Sequence, residues 1–356
     1  MKPIFSLKKY FCMLVAGILF TVPFVPGYAG KEQDRFFGQN QRLFFGLAVH
    51  GLPKSPDEIE MMEAETGLPV SMINFFLQWP KDPRHNNFPK HAFEAIHRAG
   101  AMACLTWEPM HYEDGRPCMI PAQEILNKKY DGYIDGFAKQ IRALGYPVII
   151  RFAHEMNIYQ YAWGGNPSEY GPDSPRRYRE MFRCVVLRFK NMDVKNAFFA
   201  FCPNAESLPS PKKDPKAQWN RASNYYPGSS YVDVMGMDGY NWGHTRTIDE
   251  HGWQSSWRTF EDIFSSMYRQ LKQIDPEKPV FVFETAAARQ KGQDRGQWVR
   301  DAFFTAAQWK IQGVFWFQAD KETNWRLQAD PSCSYCGPVR QNFFSPMPLF
   351  GGKDGL

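Results

Sequence analysis

Residues 147–157 read Pro-Val-Ile-Ile-Arg-Phe-Ala-His-Glu-Met-Asn. The first seven form an apolar run broken only by Arg151, and the chain then turns polar with His154, Glu155 and Asn157. So short a run, rich in branched side chains, fits a strand buried on both faces: a buried helix needs at least ~10 residues, and a half-exposed strand alternates.

The pattern recurs. Runs at 43–49, 69–75, 101–107, 147–153, 197–202, 232–237, 279–284 and 312–317 start 26 to 50 residues apart, enough for a strand, two loops and a helix. Helical periodicity fills several of the gaps, at 130–144, 176–189, 260–274 and 295–309. Buried strands alternating with helices imply an α/β fold, and eight such units imply a (β/α)8 TIM barrel, one catalytic domain spanning 43–330. The fifth unit is the weakest, because 205–230 is rich in Pro, Ser and Lys without a helical pattern. A doubly wound open sheet is the structural rival. It would want a Gly-rich phosphate loop after its first strand, and His50-Gly51-Leu52-Pro53-Lys54 is no such loop.

Outside the barrel, residues 1–29 have a basic start, an apolar run at 11–25 and small residues at Gly27 and Ala29, the layout of a signal peptide cut after Ala29. A membrane anchor would want ~20 apolar residues and no Pro23 or Pro26. The expected product is secreted or periplasmic, without membrane attachment once the signal is removed, and monomeric. Residues 30–42 form a lead-in and 331–356 an irregular C-terminal extension. In an exported chain Cys333 and Cys336 suit a local disulfide, while Cys104, Cys184 and Cys202 lie in apolar runs as buried thiols and Cys118 has no evident partner. The formal charge is +5, but residues 1–29 hold Lys2, Lys8 and Lys9 and no acid, leaving 39 basic against 37 acidic residues. So even a balance argues against a nucleic-acid partner held by phosphate contacts.

In a parallel barrel the chemistry lies at the C-terminal ends of the strands. The polar residues there are His50, Asn74 and Gln78, Glu108, His154 to Asn157, Asn204, Asp238 to Trp242, Glu284, Gln318 and Asp320. Glu155 ends strand four and Glu284 strand seven, three strand positions apart around a closed barrel. Two carboxylates facing one cleft are what glycosidic hydrolysis needs, one keeping its proton for the departing oxygen and the other ionised to attack the anomeric carbon. None of the eight histidines has helical metal-ligand spacing, so neither metal nor cofactor is expected; His91 and His97 read as surface residues.

Arg151-Phe152-Ala153-His154-Glu155-Met156-Asn157, followed by Tyr161, Trp163 and Gly164, resembles the acid/base motif of glycoside hydrolase family 26, the β-mannanase family of a clan of retaining barrels. Asp238-Gly239-Tyr240-Asn241 is similar to its strand-six motif, Phe283-Glu284 to its nucleophile segment and Cys202-Pro203-Asn204 to its strand-five ending. The resemblance implies Glu155 as proton donor and general acid/base, Glu284 as nucleophile, Tyr240 as its hydrogen-bond partner and His154 as a catalytic neighbour. It implies a retaining endo-β-glycanase acting on β-linked hexose polysaccharide, β-1,4-mannan or mixed-linkage β-glucan. Two departures stand out. Ile158 replaces the family's frequent Gly, and Thr106-Trp107-Glu108-Pro109 lacks the histidine many mannanases carry on strand three, resembling instead members that act on mixed-linkage β-glucan. A barrel that binds or handles polysaccharide without cleaving it is the alternative function.

The chain has 57 aromatic residues, 16% of the total. Trp79, Trp107, Trp163, Trp242, Trp316 and Trp325 fall at or just past strand ends, where indoles are expected to stack on sugar rings, with Trp316 as the floor of the cleaving subsite. The expected substrate-binding set is Asn157, Trp107, Trp163, Asn204, Asp238, Trp242 and Trp316.

Overall fold

The structure, a computed structural model, describes residues 43–329. The expectations for residues 1–42 and from 330 on, including the signal peptide and the Cys333–Cys336 pair, lie outside the described residues. Eight parallel strands close into a barrel: β1 Phe44–Ala48, β2 Met72–Gln78, β3 Met102–Glu108, β4 Val148–Phe152, β5 Ala197–Phe201, β6 Val234–Asp238, β7 Val280–Thr285 and β8 Gly313–Phe317. Each pairs with its sequence neighbours, and β8 closes on β1 in register from Phe44–Gly313 to Ala48–Phe317. All eight predicted runs are barrel strands.

Helices cover the outside: α1 Pro56–Thr66, α2 Lys90–Arg98, α3 Asp131–Leu144, α4 Ser174–Asn191, α5 Ala222–Tyr225, α6 Phe260–Ile274 and α7 Arg295–Gln308. Thr259 and Asp262 form a reciprocal cap at the start of α6, so the chain enters that helix where the hydrophobic periodicity begins. The fifth connection holds only the four-residue α5 and a 3-10 segment at Pro215–Asn220, in keeping with its irregular sequence. A hairpin, Met110–Glu113 against Arg116–Met119, follows β3. Among the described residues no helix is long and apolar enough to cross a membrane. Cys104 and Cys202 are buried free thiols and Cys184 is half-buried.

Strand alternation divides the apolar residues between two layers. Phe281, Phe283 and Phe315 point into the barrel; a Cβ on Gly236 would come within 2.4 Å of the Phe283 ring and one on Gly46 within 2.5 Å of Phe315, so these two glycines make room for the rings. Intervening residues point out to the helices. Trp107 stacks on Phe137 of α3 at 4.5 Å, and Trp316 meets Trp298 of α7 edge-on at 6.0 Å.

β7 carries the one irregularity that bears on the site. Met237 pairs with Val282 but Asp238 with Glu284, and on the other side Val314 pairs with Val282 but Trp316 with Thr285. β7 thus holds one extra residue against both neighbours, between Val282 and Glu284 on the β6 side and between Val282 and Thr285 on the β8 side, a bulge of the kind that re-aims a side chain beside an active site.

Candidate active site

A cleft of about 1700 Å³ opens at the C-terminal ends of the strands and is lined by Glu155, Glu284, Glu108, Gln78, Asn204 and Tyr240, among others. That exceeds the ~300–1,000 Å³ of an ordinary small-molecule pocket. The hairpin after β3 forms part of its wall: Met110, Tyr112, Pro117 and Met119 line it, as alternate residues of a two-stranded ribbon should.

Glu155 follows β4 on a sharp turn in which Ala153 (φ 49°) and Glu155 itself (φ 52°) are left-handed, an unfavourable region for side chains other than glycine. The backbone N–H of Glu155 donates to the Cys202 carbonyl at 2.7 Å, tying the turn to β5. Its carboxylate accepts from Asn204 Nδ2 at 2.7 Å. Burial first, and then the negative charge of Glu284, push its pKa up to about 7, against the pull of Asn204, Arg151 and Lys321.

Glu284 has different partners. Arg151, fully buried, donates through one guanidinium nitrogen to Glu284 and through the other to Asp238 Oδ2 at 2.6 Å, while its Nε donates to Thr106 Oγ1 at 2.8 Å. Thr106 in turn donates its hydroxyl to Asn74 Oδ1 at 2.7 Å. One side chain from β4 therefore reaches β3, β6 and β7 across the barrel interior, its guanidinium between the rings of Phe76 and Phe283. Tyr240 donates its hydroxyl to the other Glu284 oxygen. Arg151 is the residue that sequence reasoning left without a role; its signal was a lone charge inside an otherwise apolar strand.

Glu108 is the second such residue. It is 3% exposed at the end of β3, lines the cleft and accepts from Gln78 Nε2. Burial pushes its pKa up to about 7, with Gln78 and Arg151 pulling the other way.

The structure brings Glu155, Glu284, Tyr240, Asn204 and Trp242 together on the cleft wall. Five other expected site residues are corrected. Trp107 and Trp316 are buried in the layer between barrel and helices, donating to Tyr133 Oη and to the Trp325 carbonyl. Strand period two forces this, since Trp107 sits between inward Thr106 and Glu108, and Trp316 between inward Phe315 and Phe317. Trp163 is buried with its indole N–H on the His154 carbonyl. Asn157 is buried and spends its amide on Asn204 and Ser207. Asp238 is buried against Arg151. None of the five lines the cleft. His154 is also buried, its ring against Phe76 and Tyr161, and burial together with the Arg151 charge holds it well below the usual histidine value, hence neutral. Of the remaining indoles, Trp79 joins the Trp107 cluster, while Trp325 lines the cleft without being exposed.

A closed parallel barrel with a buried, carboxylate-lined cleft at its C-terminal face defines the class. Residues 121–256 match the model of glycosyl hydrolase family 26. The chain is 28% identical to Endoglucanase H of Acetivibrio thermocellus over 295 residues, 82% of this chain and 29% of that protein. It is 28% identical to a mannan endo-1,4-beta-mannosidase of Bacillus subtilis over 122 residues, 33% of this chain and 29% of that one. The chain thus matches under a third of the length of either curated relative. The solved Bacillus subtilis mannanase BCman has the same fold, with a TM-score of 0.62 at 14% identity over 92% of this chain and 95% of that one. Over residues 121–256, which include the strand-four motif, the chain is similar to glycosyl hydrolase family 26.

Proposed function

We propose that the protein is an exported, retaining endo-β-glycanase that cleaves a β-linked hexose polysaccharide, with β-mannan and mixed-linkage β-glucan as the first substrates to test. The observation that carries the reading is the unequal pair in one cleft. Glu155 is poised near neutrality with only an amide for a partner, and Glu284 is bonded by Arg151 and Tyr240. Unequal surroundings for two carboxylates in one cleft assign an acid and a nucleophile.

In the first step a Glu284 oxygen attacks the anomeric carbon as the glycosidic C–O bond breaks; its electron pair leaves on the aglycone oxygen, which takes the proton of Glu155. Positive charge building on the sugar ring is stabilised by the Glu284 carboxylate. In the second step the Glu155 carboxylate removes a proton from water, whose oxygen attacks the same carbon and releases Glu284, restoring the starting protonation. Tyr240 and Arg151 fix the orientation of Glu284 throughout. Neither step calls for a metal or cofactor.

The test is a hydrolysis panel of galactomannan, mixed-linkage β-glucan, a cellulose derivative and β-1,3-xylan, read as new reducing ends for the parent and Glu284→Ala. Cleavage by the parent and at least a roughly thousandfold loss in the variant are expected, as for removal of a covalent nucleophile. Product of inverted configuration by NMR would overturn the retaining mechanism. Equal activity of the two proteins would overturn the assignment, and binding of polymer without cleavage would favour the handling protein instead. A mature N-terminus near Gly30 would support export.

A further inference from the structure

Nine large apolar side chains are exposed among the described residues, and five of them, Leu52, Tyr112, Tyr159, Leu208 and Trp253, line the one cleft. Exposed apolar residues scattered singly mean little; a majority gathered on the walls of one groove marks a binding surface. Trp253 is the largest and 44% exposed. It sits in the loop after β6, just past a short helix, Ile248–His251, that Gly252 closes at φ 73°. The loop is stapled by two hydrogen bonds, Ser255 N to the Arg246 carbonyl at 3.1 Å and Arg246 N to Ser255 Oγ at 3.0 Å.

Trp242 meets Trp253 edge-on, centroids 5.7 Å apart at 84°, and the Arg246 guanidinium lies 4.6 Å from the centre of the Trp242 ring. Trp242 in turn packs against Tyr240, which holds Glu284. A row of rings therefore runs from Glu284 out to the exposed face of Trp253. Tyr112, on the hairpin after β3, and Tyr159, in the loop after β4, stand on cleft segments two to three strand positions away round the barrel.

We infer that Trp253 is a stacking platform for a sugar ring of a β-glycan chain beyond the ring seated over Glu284, with Tyr112 and Tyr159 offering further platforms across the cleft. The inference rests on the proposed glycanase reading and deepens it: the ligand is a polymer or long oligosaccharide, and cleavage is internal. A β-linked pyranose presents a face of axial C–H groups that fits an aromatic ring with one apolar side and a wet edge. The cleft volume of about 1700 Å³ holds several rings, and an indole already braced by Trp242 loses little freedom on binding.

The test compares the full chain with Trp253→Ala and Trp253→Phe on two substrates of the same sugar, a soluble polymer and an aryl disaccharide glycoside. Trp253→Ala is expected to lower kcat/KM on the polymer by about tenfold, the scale of one aromatic stacking contact. The fall should come mainly through KM, be several-fold smaller on the short substrate, and be largely restored by Trp253→Phe. No loss, or the same loss on both substrates, overturns the platform while leaving the glycanase reading standing. If the parent cleaves nothing, that reading fails by itself, and gel affinity electrophoresis on mixed-linkage β-glucan and galactomannan decides the platform. Retention weakened by Trp253→Ala supports it; absent or unchanged retention overturns it.

Discussion

Replacing Glu108 with glutamine should make the protein more stable, increasingly so as pH rises above about 4.5 and with full effect above about pH 7. Glu108 is 3% exposed with Gln78 as its side-chain hydrogen-bond partner, and burial lifts its pKa from an ordinary 4.5 to about 7. Between those values the folded protein binds a proton that the unfolded chain has released, so stability falls as pH rises through the window and the full cost is present above about pH 7. A carboxyl held at about 7 instead of 4.5 costs about 3 kcal/mol, at about 1.36 kcal/mol for each tenfold change in proton affinity. Glutamine keeps the size and can still accept from Gln78 Nε2, but it has no charge to desolvate. The difference between Glu108→Gln and parent should therefore be near zero at pH 4 and approach about 3 kcal/mol in favour of the variant at pH 8. Glu155, whose pKa is lifted in the same direction, loads both proteins alike and cancels in the difference. The assay is urea unfolding of both proteins at pH 4, 6 and 8, compared at equal m-value. A variant no more stable than the parent at pH 8, or one whose advantage grows towards acid, refutes the reasoning.

Three further outcomes follow from the same electrostatics. Arg151→Met takes away the charged partner of Asp238, whose carboxyl burial already holds well above the usual carboxylate range, so denaturant unfolding at pH 7 should show a loss of about 3–5 kcal/mol that shrinks towards pH 4 as Asp238 takes up a proton; an equal loss at both pH values would contradict it. Because the general acid must hold its proton, kcat/KM should decline as pH rises through about 7, where Glu155 titrates, and in Glu284→Gln the Glu155 titration followed by NMR should move down once the neighbouring charge is gone.

The barrel was legible because buried parallel strands write themselves as short apolar runs, and all eight runs became strands, with Glu155 and Glu284 at the ends of two of them. The aromatic reading went wrong where it ignored the period of the strand. Trp107 and Glu108 are consecutive, so if one faces the barrel axis the other faces the helices, and a buried carboxylate with a cleft to look into takes the inward place. Trp316 between Phe315 and Phe317 follows the same rule. The exposed platforms were hidden for other reasons: Tyr159 and Trp253 lie in loops, where no periodicity says which side chain turns to the cleft, and Tyr112 lies on a four-residue hairpin strand too short to announce itself in the sequence. The β7 bulge has no local signature in Val282-Phe283-Glu284 and emerges only from pairing with two neighbouring strands.

Three buried glutamates, Glu108, Glu155 and Glu284, share the cleft, and the chain gives them unequal surroundings with one buried cation, Arg151. Arg151 can reach Glu284 because it projects inward from β4 while the β7 bulge re-aims the glutamate towards the axis. Glu155 leaves the same strand four residues later, through two left-handed residues that carry it away from that guanidinium and towards Asn204. Glu108, two residues beyond the Thr106 that accepts from Arg151, has only a neutral amide. Contact with the cation thus separates an anchored carboxylate from two whose burial pushes them to about 7. In the proposed mechanism that separation lets one residue type serve both as attacking group and as proton carrier, and it requires a turn at the end of β4 whose backbone is strained on its own account.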